Sequence, residues 1–369
     1  MNSKHIIQLD GLRFIGILSV MIAHWLQWQW DNTILTKIPF THGVTLFFVL
    51  SGFLISRILF INKDEYEAHK KNKSLLIKRF YIRRFLRIFP IYYLFIIGLF
   101  LINYQNTREL FPWLSTFTLN LHQSNHGLDV GNFNHFWSLA VEEQFYLLWP
   151  LLILYTKRSH NFLVITLVIA LSLITRFYLY NTGSHWTVIA YSTFSNMGAL
   201  GLGAILAYIT RYQKGFIKSL ARPIWIYLGL AAYLGLFIIG EKLNLRWYFL
   251  IFDPFIFSVI SMLVILRASM NGFRSTIKYF LENKFIVYSG KVSYGMYVFH
   301  LFIPGFVYWL LPDTAFFNSY HPSSKYILFV AYYLLTFILA HFSWKIIEGP
   351  MNNLKHKYPY SNTKEVHKT

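Results

Sequence analysis

The sequence predicts an all-α, polytopic membrane protein of about ten transmembrane helices with both termini in the cytoplasm. Three observations predict it. Of the 369 residues, 55% are hydrophobic and only 13% are charged, about half the charged share of a soluble domain. Apolar runs of roughly 20 residues recur along most of the chain, the length a helix rising about 1.5 Å per residue needs to cross about 30 Å of hydrocarbon. The third observation is where the positive charge lies.

The apolar runs place spans at about 12–30, 43–61, 88–104, 138–156, 161–180, 188–210, 223–240, 247–267, 292–311 and 326–347. With an inner N-terminus, every even-numbered span returns the chain to the cytoplasm. The inner segments then hold 26 of the 34 Lys and Arg residues and the outer segments six. That asymmetry is the positive-inside pattern, and gaining or losing one span would scramble it. It also accounts for the formal charge of +19 without a nucleic-acid partner. The start, MNSKHIIQ, runs into the first apolar stretch without a small-residue cleavage site, so it reads as an uncleaved helix. Residues 1–350 form one membrane domain, and 351–369 read as a short, polar, disordered cytoplasmic tail.

Between the spans, Trp25, Trp28, Trp30 and Trp113 read as an interfacial aromatic belt. The outer segment 105–137 is long, and its stretch LFPWLSTFTLNL suits the interface or a re-entrant segment. Cysteine is absent, which excludes a disulfide, a thiolate metal site and a cysteine acyl-enzyme. His122 and His126 have an i, i+4 spacing, but HQSNHG reads as a loop and no third ligand stands out, so no metal is expected.

Ionisable groups inside a membrane helix are costly and mark functional candidates. Here they are His24, Glu142, Glu143, Asp253 and His300, with Asp10 and Arg13 at the inner end of the first span. Arg13 and His24 are eleven residues apart, so they share a helix face with about 16 Å between them along the axis. Glu142 and Glu143 lie in the first turns of the fourth span, near the depth expected for His24. They point about 100° apart, so one of the two faces the interior. A carboxylate beside an imidazole would stabilise the imidazolium formed on proton uptake; a structural ion pair would look the same in sequence. Arg83, Arg84 and Arg87, in KRFYIRRFLRIFP, crowd the inner end of the third span. Guanidinium forks suit phosphate oxygens, though topology alone would also supply cations there. Ser51 in LSGFL, and Tyr294, Tyr297 and His300 in SYGMYVFH, line a passage or simply pack. Asp253 beside Pro254 marks a broken helix or an ion site.

The same stretches carry a family likeness. LDGLRFIGILSVMIAH, with its Arg-x10-His signature, is followed by GVTLFFVLSGFLISR, RRFLRIFPIYY, FWSLAVEEQFYLLWP, SYGMYVFHLFI and SWKIIEGP. In that order, from residue 9 to 350, they strongly resemble the acyltransferase family 3 membrane proteins. The resemblance implies transfer of an acyl group, usually acetyl, from cytoplasmic acetyl-CoA to a hydroxyl of an envelope glycan, a lipid-linked sugar or another small acceptor. It implies His24 and Arg13 as essential, Arg83, Arg84 and Arg87 as the arginine cluster, and Glu142 as the embedded glutamate. It also implies residence in a bacterial plasma (inner) membrane. Some members append a soluble extracytoplasmic domain; here only a short tail follows the last span, so direct transfer to the final acceptor is expected.

Together these readings predict a through-membrane passage. Arg83, Arg84, Arg87 and Arg13 would bind the CoA phosphates, His24 would act as general base, and Glu142 would support it. Asp10 joins the catalytic set, and Glu143, Ser51, Tyr297 and His300 the passage. A transporter or flippase of a small anionic or sugar solute would also need embedded charges, but no inverted repeat is visible.

Overall fold

A computed structural model of the chain describes residues 5–26, 38–69, 72–126, 129–270, 272–310 and 322–360. Among the described residues there is no strand. The principal helices are α1 (Ile7–Trp25), α2 (Gly43–His69), α3 (Lys73–Leu101), α4 (Phe136–Tyr155), α5 (Arg158–Asn181), α6 (Thr193–Tyr212), α7 (Pro223–Lys242), α8 (Asp253–Met270), α9 (Ser293–Phe299), α10 (Phe302–Leu310) and α11 (Pro322–Ser343). Among the described residues, eight helical stretches are long and apolar enough to cross a membrane, which marks a multi-pass membrane protein.

Two of the ten expected spans are not among these eight. The fourth is present as α4, a continuous 20-residue helix carrying Glu142 and Glu143. The ninth, expected at 292–311, is broken into α9 and α10. This break has a chemical cause in Pro304. Proline lacks the amide proton that would bond four residues back, and its ring crowds that carbonyl, which here belongs to His300. The Trp25 indole N–H donates to the freed His300 oxygen at 3.2 Å. Trp25 is therefore no member of an interfacial belt; it is 3% exposed and fills a gap in a helix ladder. Trp28 and Trp30 lie outside the described residues.

The chain divides into two compact units. The first comprises residues 1–47, 130–135 and 264–345. In it, the N-terminal turns of α1 lie backbone-close to their neighbours. A Cβ on Gly290 would fall 1.8 Å from the Asp10 carbonyl oxygen, and one on Gly11 would fall 2.4 Å from that of Leu281. Gln8 locks the contact, donating to Glu282 Oε1 at 2.7 Å and accepting from the Phe273 amide at 2.7 Å.

The second unit comprises residues 48–129, 136–263 and 346–369. Its α2 and α6 also touch backbone to backbone: a Cβ on Gly52 would lie 1.9 Å from Leu200 O, and one on Gly203 2.1 Å from Val49 O. Small residues at such crossings let membrane helices gain dispersion contacts where water supplies no hydrophobic drive. Lys63, expected among the solvated inner charges, is 3% exposed. Its Nζ donates to the carbonyls of Ile153 and Thr156 and to Asn161 Oδ1, at the C-terminal end of α4. The outer segment packs rather than loops. HQSNHG, read as a loop, lies largely within a helix, Leu119–His126. The Tyr92 hydroxyl donates to Leu114 O at 2.9 Å and the Gln144 amide to Phe117 O at 2.8 Å. Asp253 follows a π-helical stretch, Tyr248–Phe252, and the helix runs on through it to Met270, so the helix is widened there and not broken.

The described part of the tail, residues 351–360, departs from the expected disorder, and 361–369 lie outside the described residues. Gly349–Asn353 is α-helical and Leu354–Lys357 continues as a 3-10 turn. Arg83 on α3 donates to the carbonyls of Lys355 at 2.8 Å and Tyr358 at 3.2 Å, and lies 4.6 Å from the Tyr360 ring centroid. Two charge-assisted bonds and a cation–π contact order a segment whose composition alone reads as disordered.

Gly203→Val is expected to lower the detergent-solubilised melting temperature, since overpacking commonly costs about 1–3 kcal/mol and here the obstacle is backbone. Gly98→Ala, whose new methyl meets nothing within 4 Å, is expected to leave it unchanged or raised. Parallel thermal melts of the two variants check this.

Candidate active site

Two constellations gather the residues singled out from the sequence, one in each unit. In the first unit, α1 carries Asp10, Arg13 and His24. Asp10 is 4% exposed; its carboxylate accepts from Arg13 three residues on and lies 2.6 Å from His5 Nε2. A buried carboxylate needs such a cation, and the pairing fixes the Arg13 guanidinium at the start of α1. About three turns beyond Arg13, His24 Nδ1 lies 2.8 Å from His300 Nε2. The two rings lie end to end, with centroids 5.0 Å apart and planes 21° off parallel.

His300 is fully buried, and its Nδ1 lies 2.7 Å from the Tyr297 carbonyl oxygen. Tyr297 is in the last turn of α9, and a backbone carbonyl has two lone pairs with which to accept. His135, from the segment 130–135, adds a third imidazole: its ring centroid is 4.8 Å from that of His300. The Tyr297 hydroxyl donates to the His135 carbonyl at 2.9 Å. Tyr297 and His300, expected only to line a passage, therefore join His24 in one hydrogen-bonded cluster. His135 was missed. Its position immediately before the FWSLAVEEQ stretch was the available signal, but nothing in the spacing tied it to residue 300.

In the second unit, Ser51 on α2 donates to Glu142 Oε1 at 2.8 Å, and Tyr146, one turn along α4, donates to Glu142 Oε2 at 3.2 Å. Both carboxylate oxygens are thereby held. Arg84 and Arg87 on α3 lie within electrostatic reach of Glu142, and Arg84 also of Glu143. The Arg84 guanidinium sits 5.8 Å from the ring centroids of Phe80 and Tyr146. Its Nε is buried without a hydrogen-bond partner among the described residues, an expensive state for a charged donor. Lys355 of the ordered tail lies within reach of Arg83, Arg84 and Arg87. Sequence reasoning missed Lys355, because a tail lysine is ordinary under the positive-inside pattern and only the Arg83 bonds bring it here.

The three arginines divide their work. Arg83 ties down the tail backbone, while Arg84, Arg87 and Lys355 leave a concentration of positive charge beside two glutamates. Among the described residues no group of three His, Asp or Glu side chains is placed to hold a metal ion. His122 stacks on Trp113, with ring centroids 4.9 Å apart.

Fold and site together define a multi-pass helical membrane protein with an imidazole cluster built on the buried His135 and His300 and a half-buried arginine–glutamate cluster. A family model described as an acyltransferase domain matches residues 6–344, and the chain belongs to that acyltransferase family 3. It is similar to the peptidoglycan O-acetyltransferase OatA of Listeria monocytogenes, with 28% identity over 95% of this chain and 56% of that protein. A protein of Staphylococcus aureus (strain COL) named as a candidate O-acetyltransferase is 28% identical over 94% of this chain and 57% of its own length. YrhL of Bacillus subtilis, named as a candidate peptidoglycan O-acetyltransferase, is 30% identical over 56% of this chain and 34% of its own length. The chain spans a little over half the length of the first two relatives. No solved structure matches the chain.

Arg83→Ala is expected to raise amide exchange across residues 349–360 while leaving the exchange of α4 unchanged. Hydrogen-exchange mass spectrometry of the purified variant checks this.

Proposed function

We propose that this chain transfers an acyl group, acetyl in the first instance, from acyl-CoA on the cytoplasmic side of a bacterial plasma membrane to a hydroxyl of an envelope glycan or lipid-linked sugar. The observation that carries this reading is the cluster of Arg83, Arg84, Arg87 and Lys355, in which the buried Arg84 Nε has no hydrogen-bond partner among the described residues. Guanidinium groups and an ammonium so assembled suit the phosphates of a nucleotide-bearing donor. Arg13, already paired with Asp10, is the further cation assigned to donor binding.

His24 is the general base of the proposed reaction. It takes the proton of the acceptor hydroxyl as that oxygen attacks the thioester carbonyl. The new C–O bond forms, the C–S bond breaks, and the CoA thiolate leaves to be protonated. Glu142 keeps the supporting role that the family likeness implies, and Glu143 is assigned to the substrate passage. The glycan acceptor follows the names of the relatives, and it is the part of the reading that rests most on likeness.

One contact favours a second route. Ser51 already donates its proton toward Glu142, the arrangement that prepares a serine for nucleophilic attack. In that route the Ser51 oxygen displaces the CoA thiolate, its proton passes to Glu142, and the acceptor hydroxyl then displaces Ser51 from the ester. Ser51→Ala separates the two. Direct transfer retains turnover and yields no trapped acyl-protein; the ester route loses both turnover and the trapped species seen in the wild type.

The primary test is binding and slow hydrolysis of acetyl-CoA by protein in nanodiscs. His24→Ala is expected to bind acetyl-CoA as the wild type does and to turn over about 10²–10⁴-fold more slowly, the usual general-base share. Arg84→Ala is expected to weaken binding by about ten- to a hundredfold, matching the loss of a charge-assisted bond. A wild-type protein with no affinity for any acyl-CoA would reduce the arginines to topology and overturn the proposal.

A further inference from the structure

The hydrogen bonds around His300 determine which nitrogen of His24 is available for chemistry. A carbonyl oxygen only accepts, so the 2.7 Å contact from His300 Nδ1 to Tyr297 O requires a proton on Nδ1. With one proton on each ring, His300 Nε2 then carries a lone pair. The atom facing it at 2.8 Å is His24 Nδ1, which must be the donor. The remaining nitrogen of His24, Nε2, is therefore the unprotonated one.

We infer that His300 is a positioning residue that fixes His24 in its Nδ1–H tautomer, so that Nε2 is the atom that accepts the substrate proton. The inference rests on the reading of His24 as the general base. Its direction is set by the fold. Tyr297 lies in the last turn of α9, which ends at Phe299, and its carbonyl oxygen faces the His300 ring. The Trp25 indole satisfies the neighbouring His300 carbonyl, freed by Pro304. That bond ties α1, one residue beyond His24, to the backbone of His300 itself. Donor and acceptor rings are thus both anchored through the same break.

The arrangement does what the carboxylate does in a Ser-His-Asp triad: it orients the base and selects its tautomer. Here an imidazole does so, and its own tautomer is set by a backbone carbonyl. When His24 Nε2 takes a proton, no proton need leave Nδ1. The Nδ1–H bond to His300 becomes charge-assisted, and the bond from His300 to Tyr297 O is polarised in turn. His135, 4.8 Å from His300 between ring centroids, completes the packing that holds the His300 ring in plane for both bonds.

Nitrogen NMR of protein labelled with ¹⁵N-histidine in nanodiscs tests the tautomer directly, with the His24 signals assigned from their loss in His24→Ala. The expected wild-type spectrum shows His24 protonated on Nδ1 and bare on Nε2. His300→Gln keeps an acceptor in reach of His24 and is expected to keep that tautomer, with turnover reduced less than tenfold. His300→Phe removes the acceptor; the His24 proton is then expected to redistribute toward Nε2. Acetyl-CoA turnover in that variant is expected to fall by about 10²–10⁴-fold, comparable to loss of a tautomer-fixing group, with the Michaelis constant for acetyl-CoA unchanged. A wild-type His24 protonated on Nε2, or a His300→Phe variant that retains the Nδ1–H tautomer, would overturn the inference. An expected tautomer in a wild type that binds no acyl-CoA would instead sink the proposed function and leave the tautomer assignment standing.

Discussion

A polar group at membrane depth has no water to bond, so each helix that ends, bends or widens there must find its partners within the protein. This constraint governs where the helices of this chain are allowed to break. Pro304 frees the His300 carbonyl, and Trp25 donates to it. The C-terminal carbonyls of α4 receive the Lys63 ammonium. The π-helical stretch before α8 exposes Leu250 O, and Arg176 donates to it at 2.7 Å while a second nitrogen donates to Ser195 O at 2.8 Å. In each case a long donor side chain replaces a missing backbone amide. An unsatisfied group would cost about 1–3 kcal/mol, so donor and break have to be present together.

The functional candidates occupy the same kind of position. His300 lies at the C-terminal end of α9, bonded to the Tyr297 carbonyl three residues back. The irregular backbone that follows is in line with the rule that non-helical segments at membrane depth persist where they are buried in protein.

Most of the helices were legible in the sequence because membrane spans are written in composition: a run of apolar residues either reaches about 30 Å or does not. The candidate residues were legible for the complementary reason, since a charge in such a run is costly and conspicuous. Partnerships were not legible. His300 and His24 are 276 residues apart, and no periodicity joins them. Pro304 was visible, yet its consequence depends on whether the i−4 carbonyl finds a donor, and that donor is in the first helix. Lys63 and Arg176 figure in the sequence only as one inner and one outer basic residue, because the positive-inside pattern counts cations without saying which are drawn inward to cap carbonyls. The tail read as disordered from its polarity, although two carbonyls 272 and 275 residues beyond Arg83 order it.

The arginine cluster shows how one helix face can serve two ends. Arg83 and Arg87 are a turn apart on α3, with Arg84 about 100° around. Arg83 takes the tail carbonyls, and by doing so brings Lys355 toward the other two guanidiniums. Packing like charges together is unfavourable in the absence of an anion, so tail docking works against itself electrostatically and the Arg83 bonds must offset that repulsion. An anion bound among Arg84, Arg87 and Lys355 reverses the sign of that term. By linkage, whatever the docked tail adds to anion affinity, the anion adds to tail docking by the same factor. The segment that composition marks as an appendage then belongs to the binding equilibrium, and the buried Arg84 Nε, unpartnered among the described residues, marks where that anion has most to gain.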